Sequence, residues 1–154
     1  MQVGALELEA WVGLLQAHHR LVQELDSELE RAHGLTLGEY EVLLQLSRAP
    51  ESRLRMSELA DAVLLTKSGL TRLVDRLEGR RLVERTKCPS DLRGFHAVLT
   101  GEGRERLREA APTHVDGIHR LFLDRLEPGE AERLAQVWRR LGADGDAAGC
   151  GADL

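Results

Sequence analysis

The residues best suited to chemistry in this chain are cations and small hydroxyls gathered between Thr66 and His96. Lys67, Ser68, Thr71, Arg72 and Arg76 follow one another at helical spacing, and Asp91 and Arg93 stand two apart in a later turn-rich stretch. Lysine, arginine, serine and threonine donate hydrogen bonds to phosphate oxygens, and arginine can also read a guanine edge through two parallel bonds. An aspartate two residues from an arginine can hold the guanidinium and aim it. The 66–96 window holds eight cations (Lys67, Arg72, Arg76, Arg80, Arg81, Arg85, Lys87, Arg93) against four anions (Asp75, Glu78, Glu84, Asp91), a balance of +4. The chain as a whole carries -5, so the remainder carries -9. Screening over about 8–10 Å lets an acidic body carry a local basic face that still holds phosphate. The plainer reading of each such cation is a solvated helix face, or for Asp91 and Arg93 a salt bridge within a turn.

Positioning those side chains takes a definite order of elements. Leu8, Trp11, Leu14, Leu15, His18, Leu21, Val22, Leu25 and Leu29 recur at three- and four-residue steps, which predicts one long helix over 6–33 that ends at Gly34. Its stripe is longer than one small lobe can cover, so a second helical layer or a second subunit is implied. Thr36 and Glu39 are spaced as a capping box, with Leu35 and Tyr40 as the accompanying hydrophobic staple. The second helix then ends before Pro50. Ser57 is the expected cap of a third helix, and Thr66 that of a fourth over Lys67 to about Arg80. In that fourth helix Leu70, Leu73, Val74 and Leu77 face inward, while Ser68, Thr71, Arg72, Asp75 and Arg76 face out. Two strands are predicted at Leu82–Thr86 and Phe95–Leu99, with Cys88–Gly94 as the tip between them. Thr100 caps a fifth helix reaching about Leu126, kinked at Pro112. Pro128 stands in the first turn of a sixth helix that ends near Leu141. Residues 142–154, GADGDAAGCGADL, lack periodicity and are expected to be disordered.

The fold class is therefore mainly α with a small β-hairpin wing: a winged helix-turn-helix over 35–100, flanked by a dimerisation lobe from 6–33 and 101–141, all in one domain of 1–141. Such a unit can place one helix in a DNA major groove and a hairpin tip in the adjacent minor groove. Arg93 is the candidate for the minor groove, Ser68, Thr71 and Arg72 for the major groove, and Arg55, Lys67 and Arg76 for phosphates. Trp11, His18, Tyr40 and His114 are candidates for an effector pocket, against the plainer reading that aromatics at this spacing are core.

Other classes find little footing. With only Cys88 and Cys150, neither a disulfide framework nor a zinc knuckle is indicated, and a reducing, cytoplasmic setting is expected. The N-terminus lacks a basic n-region, and no apolar run nears the ~18 residues that span a bilayer, so no membrane partner is expected. No Gly-rich phosphate loop, nucleophile elbow or metal-ligand spacing is present, so neither an enzyme nor a cofactor is implied. His18 and His19 are adjacent, and His114 and His119 are five apart, neither of which puts two ligands on one helical face. Cys88 beside Lys87 is a candidate for a lowered thiol pKa.

These residues resemble the multiple antibiotic resistance regulator (MarR) family from Leu6 to Leu141. The wing is the most specific part: Asp91-Leu92-Arg93-Gly94, followed by Val98-Leu99-Thr100, is similar to the family's Asp-x-Arg and its apolar strand ending in Leu-Thr. Ser68 to Glu78 resembles its recognition helix, and Met56-Ser57-Glu58-Leu59-Ala60 the helix before it. The resemblance implies a homodimeric transcriptional repressor or activator, with a repressor expected, bound to a pseudo-palindromic double-stranded operator and, as often in the family, released by a small aromatic or anionic effector. Relatives that sense zinc use a carboxylate and a histidine where this chain has Tyr40 and Glu41, and those that sense peroxide use a cysteine in the first helix, where it has none. The alternatives are a thiol- or metal-responsive regulator, or a helical protein-interaction module that keeps the fold without binding DNA.

Overall fold

A computed structural model describes residues 3–63, 67–88 and 91–142; the side chains of Lys67, Ser68, Cys88, Asp91, Leu92 and Arg93 lie outside that description. So do the expected cap Thr66 and, beyond Gly142, the tail with Cys150. Among the described residues six α-helices and three strands follow in order: α1 (Ala5–His33), α2 (Leu37–Arg48), β1 (Arg53–Arg55), α3 (Met56–Ala62), α4 (Lys67–Gly79), β2 (Val83–Cys88), β3 (Asp91–Leu99), α5 (Gly101–Leu121) and α6 (Glu130–Arg140).

The joint between α1 and α2 is tied by several hydrogen bonds. Gly34 caps α1 in the left-handed region (φ 62°), a conformation that costs glycine nothing. Leu35 is fully buried behind it. Thr36 Oγ1 accepts from the Glu39 N–H at 3.2 Å, and Glu39 Oε2 accepts from the Thr36 N–H at 3.0 Å, which completes the expected capping box. Asp26 of α1 adds a further cap by accepting from the Leu37 N–H at 2.7 Å.

Leu29, Val42, Leu43, Leu46, Leu59, Val74, Leu77 and Val83 are all fully buried in a single core. The inward row expected on α4 is there: Leu70, Val74 and Leu77 are buried and Leu73 packs against them. Leu107 and Ala110 attach α5 to the same core. Thr100 caps α5 by accepting from the Gly103 N–H at 2.9 Å, and its own hydroxyl donates to the Arg81 carbonyl at 2.7 Å.

Several expectations need correcting. The wing is not a two-stranded hairpin, because β1 adds a third strand in the order β1-β3-β2, antiparallel throughout. Three residues are too few to show an alternating pattern, so β1 left no trace in the sequence. The strands reach further than expected, β2 to Cys88 and β3 from Asp91, so the tip is not Cys88–Gly94. Ser57 does not cap α3; Arg55 occupies that position, and its N–H donates to Glu58 Oε2 at 2.8 Å. Helix α5 runs through the exposed Pro112 but stops at Leu121, and a 3-10 turn at Leu123–Arg125 follows. Pro128 precedes α6, which is capped by Gly129 at φ 85°.

Helix α1 packs antiparallel on α5. His33 Nε2 lies 2.7 Å from Thr113 Oγ1, Gly117 sits against Leu25, and Arg120 pairs with Glu28. Of the α1 stripe only Leu29 is buried. Leu6, Leu8, Trp11, Val12, Leu14, Leu15 and Val22 are exposed, and no residue of α6 is buried.

Candidate nucleic-acid interface

Helix α4 has two chemically distinct sides. With Leu70, Val74 and Leu77 committed to the core, Thr71, Arg72, Asp75 and Arg76 are exposed on the opposite face. Lys67 and Ser68 belong to the first turn of α4, and their side chains lie outside the description. Arg55 stands half-buried at the start of α3. Asp91 and Arg93 are in β3, at an irregularity: Lys87 pairs with Phe95, but the next β2 residue, Cys88, pairs with Asp91. Residues 92–94 therefore have no counterpart on β2, the two-against-many arrangement that bends a strand and redirects it. The paired hydrogen bonds expected between Asp91 and Arg93 lie outside the described side chains.

The wing is clamped to α4 by Arg85. Its guanidinium lies 2.6 Å from Asp75 Oδ1 and 2.8 Å from Glu78 Oε2, and it also donates to the Thr71 carbonyl at 3.4 Å. The Arg85 N–H donates to Glu78 Oε1 at 3.2 Å. One arginine thus binds three positions on two turns of α4. The steps of four and three residues from 71 to 75 to 78 put them on one side of the helix.

Arg76 and Arg80 turn the other way. Arg76 Nε donates to Glu39 Oε1 at 2.8 Å, and Arg80 Nη1 donates to the Gly34 carbonyl at 2.8 Å while lying 3.4 Å from Glu39 Oε2. The arginine side chains stay partly open to water, that of Arg76 by 51%, whereas that of Glu39 is 4% exposed. The expectation that Arg76 is simply an outward phosphate ligand is thereby modified, since one of its nitrogens is spent within the protein. Part of the cationic excess counted over 66–96 is likewise answered by Glu39, which lies outside that window. Neither Arg85's clamp nor Glu39's second role was foreseen. Glu39 and Arg76 are 37 positions apart, a separation that carries no spacing signal.

The four expected effector residues are not brought together. Tyr40 and His114 are buried and in contact, with ring centroids 4.6 Å apart and tilted by 44°. His33 meets Thr113, so His114 lies beside the C-terminal end of α1. Trp11 and His18 are exposed on the opposite half of that helix; at ~1.5 Å per residue His18 stands roughly 20 Å away along the axis. Two open cavities flank the α1–α5 contact instead. One, of about 480 Å³, is lined by Glu28, Arg31, Thr113, Asp116, Gly117 and Arg120; the other, of about 440 Å³, includes Gly13, Arg20, Leu21, Phe122 and Arg125. None of the four expected residues lines either.

His114 is only 8% exposed, its Nδ1 has no hydrogen-bond partner among the described residues, and burial holds its pKa below the ordinary 6.5. The ring is therefore neutral near pH 7. Among the described residues no three of His, Cys, Asp and Glu cluster as metal ligands. No described helix is long and apolar enough to cross a membrane.

A helix-turn-helix from α3 and α4, a three-stranded wing and long flanking helices define a winged helix-turn-helix protein. Comparison with known proteins makes the assignment specific. A model of the MarR family matches residues 33–94. Sco3205 from Streptomyces coelicolor, a MarR family regulator whose crystal structure is a complex with DNA, is 39% identical, with a TM-score of 0.86 over 92% of this chain and 89% of that one. The transcriptional regulator HosA of Escherichia coli O111:H- is 33% identical over 130 residues, 82% of this chain and 94% of its own length. The transcriptional repressor MprA of Escherichia coli (strain K12) is 30% identical over 115 residues, 75% of this chain but 65% of its own length, so this chain spans just under two thirds of that relative. The chain belongs to the MarR family.

Proposed function

We propose that this protein is a homodimeric, sequence-specific DNA-binding regulator of transcription. In this reading, α4 enters the major groove with Ser68, Thr71 and Arg72, and the wing brings Arg93 to the neighbouring minor groove. Lys67, Arg55 and the open edge of Arg76 hold phosphates. The observation that carries the reading is the exposed Thr71–Arg72 face of α4, braced against the wing by Arg85, in a chain similar at 39% identity to one crystallised on DNA. The unpartnered apolar half of α1, together with α6, is the surface for the second subunit. Two copies then present two recognition helices to half-sites about 34–36 Å apart.

Release follows if an effector favours a dimer whose recognition helices no longer match that spacing. A preference of a few kcal/mol is sufficient. The cavity lined by Glu28, Arg31, Asp116 and Arg120 offers charges of both signs to a small anionic or aromatic ligand.

Selection of bound duplexes from a random library, followed by a salt titration on the winning sequence, tests the reading. We expect two inverted half-sites and a steep fall of log affinity with log salt, as phosphate contacts require. A chain that enriches no sequence and shows a flat salt response is an interaction module rather than a DNA-binding protein.

A further inference from the structure

A glutamate in a capping box needs only the backbone N–H it accepts, and it ordinarily does so in water. Glu39 departs from this. It is almost fully enclosed, and it receives two arginines four residues apart, Arg76 of α4 at 2.8 Å and Arg80, the residue that follows α4, at 3.4 Å. Arg80 continues to the Gly34 carbonyl, the cap of α1. One carboxylate therefore gathers the start of α2, the end of α1 and the C-terminal turns of α4. The charges suit the dipoles they meet, an anion at the start of α2 and cations near the end of α4. The anchor is stiff, because Asp26, Thr36 and the left-handed Gly34 already fix the α1–α2 joint.

We propose that Glu39, acting through Arg76 and Arg80, is a positioning residue for DNA recognition: it latches α4 at one angle to the α1–α2 joint, so that the course of α1 sets where the recognition helix lies. This rests on the DNA-binding reading above. In a dimer joined through α1, that angle fixes the separation of the two α4 helices, so the latch governs the half-site spacing the protein accepts. Arg85 extends the effect to the wing by tying it to the same helix.

The test compares the wild-type protein with Glu39→Gln and Arg80→Ala in parallel selections from a duplex library with variable half-site spacing, with salt titrations on each. Glutamine keeps an oxygen for the Thr36 N–H, so the substitution isolates the arginine bond. We expect Glu39→Gln to stay folded and to bind the wild-type operator about tenfold more weakly with the same salt slope. It should also accept spacings the wild type rejects. Arg80→Ala, which leaves Glu39 and Arg76 paired, should broaden the spacing in the same sense, and it carries the test if Glu39→Gln does not fold. Unchanged spacing in a folded variant overturns the proposal. So does tighter binding with a steeper salt slope, which would make Glu39 a charge neutraliser that frees Arg76 when lost. A wild-type protein that selects no duplex at all removes the DNA-binding reading itself, an outcome distinct from failure of the latch alone.

Discussion

Single residues divide here into those whose partners are near in sequence and those whose partners are not. Thr36 with Glu39, and Thr100 with the start of α5, were readable because an N-cap side chain meets an N–H two or three positions on, here three. The outward placement of Thr71 and Arg72 was readable for the same reason, since helical periodicity fixes which face the leucines leave free. Arg72→Ala should weaken specific duplex binding by about 1–3 kcal/mol and relax discrimination at one base position, measured by titration against single-base variants of the operator. Unaltered discrimination would move Arg72 to the phosphates. The inside of the protein was less legible: of the four residues expected to line one pocket, Trp11 and His18 are exposed on α1, while Tyr40 is packed by the buried ring of His114. Its pKa is lowered by burial, so the unfolded chain binds the proton more readily than the native one. Stability from this group is therefore complete above about pH 6.5 and declines as pH falls below it. The melting temperature should drop between pH 7.5 and pH 5.5, and His114→Phe, which also removes the unpartnered Nδ1, should flatten that slope. Parallel profiles for the two proteins would assign the acid sensitivity elsewhere.

At the level of elements, type and order were legible but ends and pairings were not. The sixth helix starts two residues after Pro128, because a left-handed Gly129 intervenes. Strand β1 was invisible because its evidence is register, Arg53 opposite Val98 and Arg55 opposite His96, rather than composition. The junction of β2, β3 and α5 is unusually close. A Cβ at Gly103 would stand 2.0 Å from the Leu82 carbonyl oxygen, and that carbonyl also accepts from the Thr100 N–H at 3.2 Å. Backbone cannot yield there as a flexible side chain can. Gly103→Ala should cost at least about 3 kcal/mol, read from chemical denaturation. A loss under 1 kcal/mol would mean that α5 shifts freely on the sheet. The turn after α4 offers the opposite case. Arg81 holds φ 61°, and the Leu82 N–H reaches the Leu77 carbonyl at 2.9 Å, closing the helix as glycine usually does. Arg81→Gly should raise stability by up to about 1 kcal/mol in the same assay.

The whole molecule looks unfinished as a single chain. Trp11 is 58% exposed and Leu15 50%, on a helix whose other half is tightly packed against α5. The sequence showed that this stripe needed covering, and no described element of the same chain covers it. Leu15→Lys should shift sedimentation to the mass of one chain at micromolar concentration, with the winged helix still folded by circular dichroism. A variant that still sediments as two chains would place the subunit contact away from this face. The geometry of α1 adds a mechanical consequence. Its 29 residues make a rod of roughly 43 Å, with the exposed apolar half at one end and the α1–α2 joint at the other. A pivot of about 5° at the far end sweeps the joint through roughly 4 Å, more than the ~3.4 Å rise of one base pair. If two copies meet at that far end, a rotation of about 5° there is enough to carry the α1–α2 joint, and α4 latched to it, through about one base-pair rise.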